Sequence, residues 1–479
     1  MLTKKTSILG SIIWKASERI SIQGLGLVVQ IILARLLMPE DFALLAIIIA
    51  IINYFGIFVQ CGLSTAVVQK KDLDTQDLST LITSSFFIAF VIYIILFFSA
   101  PLISKFYDMG NLVIPIRVMS LSLFLYSFNS VQTGILTRNM NFKAIFYRSI
   151  LTMPIAATVG IIMACNGYGV WSLIAYNLLG ITLTVVFMNL MPEVRVRLGF
   201  SWRKAKEIYS FSGKILLTNL VSAGGDTLRT MTIGKFYNAS KLAFYDRGYT
   251  YANLVTQVVS TSISSVMLPI LSRSQDDISL MRNIARRAVS ISAFLMIPTL
   301  ILVSIMAKPL VLIILSEKWL QCSTYLSIFC LFRIPGIITS IDKQFYYALG
   351  KSQIGLYFEI GLLVANIIML YVTVPKGIMA IAVGATIVEY LGNIVLIVIS
   401  KGVYNYKYKD RIDDLGKPIF NSCIMAIVVY VLFIIVQNIL LQLILGTIVG
   451  LLVYAFLSKI TKDSNTDYVL KIFFRILNK

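Results

Sequence analysis

The chain has 479 residues, of which 58% are hydrophobic and only 13% are charged. Soluble domains are typically about 45–50% apolar and about 25% charged, so this composition excludes an ordinary soluble protein. The excess apolar residues come in blocks of about 20, the length that a helix needs to cross a bilayer. The formal net charge of +20 does not indicate nucleic-acid binding, because the basic residues lie in short loops between these blocks.

Catalytic and metal-binding chemistry is largely excluded by what the chain lacks. It contains no histidine, which removes His-based general bases and most zinc or haem sites. The five cysteines form no C-x-x-C pair and fit buried apolar positions better than metal ligands. A Walker A loop is also absent from the sequence, so we predict neither an ATPase nor a resident cofactor or metal.

The first apolar block, residues 7–33, carries unusual charge for a membrane span. Lys15, Arg19 and Gln23 share one helix face, and Glu18 lies beside them. An ionisable group near the middle of a spanning helix costs about 2.5–3.5 kcal/mol on insertion scales. We therefore expect this face to line a protein-enclosed, positively charged path rather than to contact lipid.

Fourteen apolar blocks follow one another along the chain. They lie near 7–33, 42–68, 78–100, 113–136, 144–165, 169–190, 209–233, 249–271, 288–307, 320–341, 353–374, 378–400, 418–436 and 439–458. With the N-terminus in the cytoplasm, most of the 42 lysines and arginines fall in cytoplasmic loops, as the positive-inside rule requires. We predict an all-α multi-pass protein with both termini cytoplasmic.

The longest links divide the predicted spans into three groups. We predict an N-terminal lobe (1–190, spans 1–6), a basic cytoplasmic linker (191–208), a C-terminal lobe (209–400, spans 7–12), a second cytoplasmic linker (401–417) and a terminal helix pair with a basic tail (418–479). A weak repeat at a shift of about 200 residues supports the two lobes: residues 34–36 (ARL) fall on 234–236 (GKF). Six intervening spans make this a parallel repeat.

The seventh block is the repeat partner of the first and is also polar. Thr218, Ser222, Asp226 and Arg229 lie on one face. Gly24 and Gly26 in the first span match Gly224 and Gly225 in the seventh, and glycine-containing turns are places where a helix bends. We expect these two helices to wall a cavity and to hinge during alternating access.

The candidate binding residues are the charged and polar groups at cavity depth. The cationic set for an anionic substrate is Lys15, Arg19, Arg229 and Arg333. The supporting or ion-coupling set is Glu18, Gln23, Asp226, Glu359 and Glu389. Other interpretations stay open: Lys15 and Arg19 are within reach of lipid headgroups by snorkelling, and Glu18 can simply neutralise them. Asp226 and Arg229 can pair with each other, and each lone glutamate is either a protonated structural residue or a coupling site.

Several short motifs resemble a known family of exporters. They are residues 30–42 (QIILARLLMPEDF), 62–70 (GLSTAVVQK), 134–143 (GILTRNMNFK) and 346–350 (YYALG). Together with the fourteen spans, they resemble the Wzx-type flippases in the polysaccharide-transporter branch of the MOP superfamily, nearest to the colanic-acid-exporter subgroup. The resemblance covers roughly residues 1–400 and implies the MATE- and MurJ-like fold.

The resemblance also implies a function. Such proteins move undecaprenyl-diphosphate-linked oligosaccharide repeat units across the bacterial inner membrane by alternating access, for O-antigen, capsule or exopolysaccharide synthesis. It implies a lipid-linked substrate within the membrane, coupling to an H⁺ or Na⁺ gradient or to the membrane potential, and contact with a glycan polymerase and assembly machinery. An ion-coupled MATE-type exporter and a membrane glycan polymerase or ligase are the alternatives.

Overall fold

The computed structural model describes residues 8–60, 63–64, 67, 73–194, 199–274, 277–463 and 465–466. Side chains are described within these ranges except for 8–20, 193 and most of 207–215 and 258–273. The α-helices are α1 (Ile8–Leu36), α2 (Pro39–Gln60), α3 (Thr75–Tyr107), α4 (Val113–Met119), α5 (Ser122–Arg138), α6 (Phe142–Cys165), α7 (Val170–Leu190), α8 (Trp202–Phe236), α9 (Ala239–Arg273), α10 (Ile278–Ile305), α11 (Ala307–Ile314), α12 (Cys322–Ala348), α13 (Ser352–Thr373), α14 (Ile378–Tyr404), α15 (Tyr408–Ile435) and α16 (Ile439–Ile460).

Each of the fourteen predicted blocks falls on helix, which confirms the all-α membrane fold. The fourth block divides into α4 and α5. Within the described residues, eleven helices are long and apolar enough to cross a membrane. α8 and α9 are not among them, and α1 qualifies only as a shorter apolar helix over Ser21–Leu36. The helices that miss this threshold include both members of the predicted polar pair, the first and seventh spans.

The chain forms two compact units, residues 1–243 and residues 244–479. In the first unit, α6 packs against α1 and α7, and α8 packs against α2 and α3. In the second, α10 packs against α12 and α15, and α12 packs against α14. The packing of α8 explains why the first unit extends beyond residue 190. The division into two six-helix lobes and a terminal pair stays a prediction.

The helix boundaries repeat at the shift that the sequence predicts. α1 ends at Leu36 and α2 begins at Pro39, while α8 ends at Phe236 and α9 begins at Ala239. The two links are therefore offset by 200 residues. Within the first unit, Ser240 also forms a hydrogen bond with Glu40, its counterpart under the same shift.

Successive loops of a multi-pass protein lie on alternate faces of the membrane. Within each unit, loops that are predicted to share a face contact each other. At one end of the first unit, Lys235 Nζ lies 3.1 Å from Asp108 Oδ2. At the other end, Lys204 pairs with Asp74, and this hydrogen bond lowers the pKa of the Asp74 carboxyl. In the second unit, Lys417 donates to the backbone oxygen of Lys462. These contacts agree with the predicted alternation, whereas the cytoplasmic assignment still rests on the charge bias.

The two predicted linkers are shorter than the sequence suggested, and this is a correction. α8 already begins at Trp202, within the predicted 191–208 linker. α14 continues to Tyr404 and α15 begins at Tyr408, so only three residues remain of the 401–417 linker. The reason is that charged residues in these turns have partners on other helices, which hydropathy along the chain does not reveal.

In three helices that contain a proline, the carbonyl that loses its backbone N–H donor accepts a hydrogen bond from a side chain on another helix. A proline at position i leaves the carbonyl of residue i−4 without its helical donor. Pro101 releases the Phe97 carbonyl, which accepts from Arg117 Nε at 3.1 Å. Pro298 releases the Phe294 carbonyl, which accepts from the Tyr454 hydroxyl at 2.8 Å.

The third case lies in α12 and has the same geometry. Pro335 releases the Leu331 carbonyl, which accepts from the Tyr390 hydroxyl at 3.2 Å. Asn393, one turn further along α14, lies 3.4 Å from the Pro335 carbonyl. Satisfying such carbonyls matters in a membrane, where no water is available to bond them.

We expect Tyr454→Phe to cost about 1–3 kcal/mol, the range for an unsatisfied buried acceptor. The same substitution is also made in a Pro298→Ala variant, in which the new alanine N–H can donate to the Phe294 carbonyl. In that background we expect Tyr454→Phe to cost less than about 1 kcal/mol, as for a dispensable hydrogen bond. Denaturation of the purified protein in detergent measures all four variants. An equal cost in both backgrounds would contradict this role for Tyr454.

Candidate functional site

A polar cavity of about 500 Å³ lies within the first unit, between α2, α5 and α8. Its polar lining consists of Gln60, Ser64, Ser130, Asn219, Ser222 and Asp226. The α8 members recur at intervals of three and four residues, so one face of this helix supplies half of the polar groups. The sequence analysis predicted this polar face, and the structure places its Ser222 and Asp226 in the cavity wall.

The polar lining residues outside α8 were not predicted as site residues. Gln60 ends α2, and Ser64 lies in the GLSTAVVQK motif that follows. Ser130 belongs to α5. All three are uncharged, and a neutral residue in an apolar block carries little signal of function. Gly134 lies one turn beyond Ser130, and a Cβ there would approach the Ser64 Cα to 3.2 Å. This glycine therefore allows α5 to lie close to the chain around Ser64.

Arg229 is the cation nearest to this cavity along α8. Its side chain is buried and forms an ion pair with Asp226, whose side chain is 54% exposed. The structure thus realises the self-paired alternative for these two residues. The pair still presents a carboxylate to the cavity, with the guanidinium held behind it on the same helix.

The charged candidates of the first span cannot be placed. The side chains of Lys15, Glu18 and Arg19 lie outside the described residues. Further along α1, Gln23 is half-buried. No described residue of α1 lines the cavity.

The predicted hinge glycines lie within unbroken helices. Gly24 has open space where a Cβ would be, and a Cβ at Gly26 would lie 3.1 Å from Met153 Cε on α6. Gly224 and Gly225 are buried in α8. α1 and α8 are continuous through these positions, so bending there stays a prediction.

Arg333 lies in the second unit, in the turn of α12 that Pro335 interrupts. Its guanidinium lies 4.5 Å from the Tyr249 ring centroid and 5.0 Å from that of Phe332. Its buried Nε has no hydrogen-bond partner, and no carboxylate of the described chain lies within ion-pair distance. An arginine with aromatic stacking and spare donors has the properties of an anion-binding group.

The two lone glutamates differ in their surroundings. Glu359 on α13 forms an ion pair with Lys343 on α12, and both side chains are largely buried. Lys343 lies beyond the predicted block 320–341, whereas α12 includes it. Glu389 on α14 is half-buried, with its Oε1 3.9 Å from the Cβ position of Gly336. Glu359 is therefore ion-paired in this conformation, and coupling roles for Glu359 and Glu389 stay predictions.

The strongest polar cluster of the second unit was missed entirely. Arg411 Nη2 lies 2.7 Å from both carboxylate oxygens of Asp342, and both residues are buried, at 3% and 0% exposure. Tyr404 donates to the same carboxylate at 2.6 Å, and Arg411 lies 3.9 Å from the Tyr406 ring centroid. The cluster joins α12, α14 and α15.

A second ion pair extends this cluster towards α10. Arg286 Nε lies 2.9 Å from Asp414 Oδ2, and its Nη1 lies 3.0 Å from Asp410 Oδ1. Both acids belong to α15. Each acid of the cluster has a cationic partner, whereas the buried Nε and Nη1 of Arg411 have no hydrogen-bond partner among the described residues. The ion pairs link α10, α12 and α15, which fits a structural role.

The described residues contain no group of acidic and cysteine side chains able to hold a metal ion. The functional groups are instead neutral hydrogen-bonding side chains in the first unit and a stacked arginine in the second. Hydroxyl and amide groups can bond a ligand rich in hydroxyls, and a guanidinium can bond phosphate or carboxylate.

Comparison with known proteins gives a consistent picture. A family model described as "Polysaccharide biosynthesis protein" matches residues 32–324. The chain is 22% identical over 464 residues to the succinoglycan biosynthesis transport protein ExoT of Rhizobium meliloti (strain 1021), covering 94% of this chain and 92% of that protein. It is 22% identical over 441 residues to the lipopolysaccharide biosynthesis protein WzxC of Escherichia coli (strain K12), covering 89% and 87% respectively.

Solved structures share the fold at low sequence identity. The lipid II flippase MurJ in an inward closed conformation superposes with a TM-score of 0.78 at 18% identity, covering 98% of this chain and 100% of that one. An inward-facing multidrug resistance MATE family transporter of the MOP superfamily superposes with a TM-score of 0.65 at 15% identity, covering 84% and 99%. The predicted MATE- and MurJ-like fold is therefore confirmed.

Proposed function

Because this chain belongs to the polysaccharide biosynthesis protein family, whose model matches more than half of its length, we propose that it is a flippase. Its substrate is a lipid-linked oligosaccharide repeat unit, which it carries across the membrane by alternating access. The relatives named as transport or biosynthesis proteins of succinoglycan and lipopolysaccharide, and the fold shared with a lipid II flippase, support this proposal.

The observation that carries the proposal is the polar cavity of the first unit. Its volume of about 500 Å³ lies within the range of about 300–1,000 Å³ that is usual for ligand sites. Such sites are mostly apolar with a few polar groups, whereas this one has six polar side chains among nine lining residues. Sugars need many hydrogen bonds from their hydroxyls, and amide and hydroxyl side chains supply both donors and acceptors.

The diphosphate of the carrier lipid requires cations, which we assign as predicted from the sequence. Arg333 has an unbonded, buried Nε and aromatic rings that hold its guanidinium. Arg229 lies beside the sugar-binding cavity and is paired in this conformation with Asp226. Lys15 and Arg19 complete the proposed cationic set.

This composition separates the proposal from its two alternatives. A MATE-type small-molecule exporter would be expected to have twelve spans and to rely on buried acids, whereas the sequence predicts fourteen spans and a mainly cationic candidate set. A membrane polymerase or ligase needs an extramembrane domain to hold its active site, whereas the described loops between the helices are short. We accordingly propose a transporter rather than an enzyme.

The setting of the reaction completes the proposal. The protein would lie in the bacterial inner membrane with both termini in the cytoplasm, and its lipid carrier would be undecaprenyl diphosphate. An H⁺ or Na⁺ gradient or the membrane potential would drive transport, with Glu18 and Glu389 as candidates for coupling. A glycan polymerase would receive the flipped repeat unit.

The function is tested by deleting the gene and analysing lipid-linked glycans leaflet by leaflet. We expect the repeat unit to accumulate in the cytoplasmic leaflet and the full chain to restore surface glycan. Arg19→Gln is expected not to restore it. Normal surface glycan after deletion, in a host with no second exporter, would refute the proposal.

The cavity is tested separately by removing hydrogen-bonding groups from α8. We expect Asn219→Leu and Ser222→Ala each to lower flux about 2- to 10-fold, because one hydrogen bond contributes about 0.5–1.5 kcal/mol. Leu217→Ala, a half-exposed residue of α8 outside the cavity lining, is the control and should leave flux unchanged. Flux is measured as surface glycan per unit of folded protein. Equal flux in all three variants would show that substrate does not contact this cavity.

A further inference from the structure

A second, apolar groove of about 550 Å³ lies in the second unit, between α13 and α14. Phe358 and Leu362 from α13 and Val388 and Val395 from α14 are among its lining residues. Its floor is tight, because a Cβ on Gly392 would approach Leu362 Cδ2 to 2.6 Å. Gly361, by contrast, leaves open space above that floor. The two glycines therefore create a channel along the outside of a helix pair.

The groove is about as long as one leaflet of a bilayer is thick. On α13 its lining runs from Ile354 to Ala365, which is about 16 Å at 1.5 Å per residue. Half of a hydrocarbon core of about 30 Å is about 15 Å. On α14 the lining runs from Val388 to Ile399 over the same number of residues. The groove thus extends from one end of both helices to about mid-membrane.

Two lysines stand where the groove reaches the end of the helices. Lys351 is the exposed residue before α13, three residues from Ile354. Lys401 follows Ile399 by two residues, and its Nζ lies 4.6 Å from the Tyr408 ring centroid. Neither lysine has a carboxylate within ion-pair distance among the residues that the structure describes. The charge bias of the loops predicts that this end is cytoplasmic.

We propose that this groove binds one acyl chain of an anionic glycerophospholipid from that leaflet, with its phosphate beside Lys351 and Lys401. The length of the groove sets the length of acyl chain that fits, and the two lysines set the preference for an anionic headgroup. A polyprenyl chain is the weaker fit, because a groove that ends at mid-membrane covers only a small part of so long a chain. The groove belongs to the second unit and the polar cavity to the first, and the proposal does not depend on the proposed transport function.

Fluorescence quenching by brominated lipids tests the proposal on the full chain reconstituted in vesicles. Leu391 lines the groove and Ile394 on the same helix does not, yet their exposures are nearly equal at 56% and 55%. We expect Leu391→Trp to be quenched at least about 3-fold more effectively by brominated phosphatidylglycerol than by brominated phosphatidylcholine. Ile394→Trp should show about equal quenching. The signal of the native tryptophans is subtracted with the unsubstituted chain.

Charge reversal supplies the second arm of the experiment. Lys351→Glu with Lys401→Glu should abolish the preference at Leu391→Trp, whereas Lys376→Glu, at the other end of the same helices, should leave it intact. Equal quenching by both lipids at Leu391→Trp would overturn the proposal. Relief of quenching by a low fraction of undecaprenyl phosphate would also overturn it, by assigning the groove to a polyprenyl chain.

Discussion

Replacing Asp342 by Asn is expected to destabilise the protein by about 3–5 kcal/mol, the cost of leaving one member of a buried ion pair without its partner. Asp342 and Arg411 are almost fully buried, so neither water nor salt can compensate the guanidinium. Whole proteins are stable by only about 5–15 kcal/mol, and the loss should be visible as a large drop in midpoint during denaturation in detergent.

Two controls separate this effect from a general sensitivity to mutation. Asp108→Asn removes the same charge from a pair with Lys235 whose side chains are 81% and 31% exposed, and should cost at most about 1 kcal/mol. The double variant Asp342→Leu with Arg411→Met replaces both charges by apolar groups and should regain most of the stability. A double variant as unstable as Asp342→Asn would show that the cluster acts through something other than its charges.

Replacing Arg333 by Gln is expected to lower flux about 10- to 100-fold while leaving the amount of folded protein nearly unchanged. A charge-assisted hydrogen bond contributes about 1.5–3 kcal/mol, and each 1.4 kcal/mol is a factor of ten. Folding should tolerate the change because the described residues offer Arg333 no carboxylate partner that would be left unpaired. Surface glycan in the deletion host, normalised to folded protein, measures the effect.

Two related variants make the Arg333 result specific. Arg333→Lys keeps the charge but loses planar stacking and bidentate bonding, and should retain an intermediate flux. Tyr249→Leu removes the ring 4.5 Å from the guanidinium and should lower flux with Arg333 in place. If Arg333→Gln transports like the native chain, the anion-binding role assigned to Arg333 is wrong.

The helical architecture was predictable because each membrane span is encoded by a continuous stretch of apolar residues. Blocks of about 20 apolar residues can only be helices in a membrane, and every predicted block lies on helix. The link between the first two helices was predictable as well, because the short sequences around Arg35 and Lys235 are related by the repeat. In the structure the helices end and begin at positions offset by the same 200 residues.

The ends of helices and the buried ion pairs were not predictable, because their partners are far apart in sequence. Arg411 lies 69 residues from Asp342. The sequence of 401–417 therefore shows a charged segment but not the distant carboxylate that allows Arg411 to be buried. The same segment thus indicated a solvated linker. Neutral cavity residues such as Gln60 and Ser130 were missed for a different reason, since one uncharged polar residue barely changes the hydropathy of its block.

The proline-released carbonyls have a consequence for how the chain is assembled as it leaves the ribosome. Arg117, which satisfies the carbonyl in α3, follows it after only twenty residues. Tyr454, which satisfies the carbonyl in α10, belongs to α16 and is synthesised 160 residues later. During that interval we expect α10 to lie in the bilayer with the Phe294 carbonyl unbonded. α16 is thus the helix that completes α10, and a chain released before α16 would carry a defect that quality-control proteases could recognise.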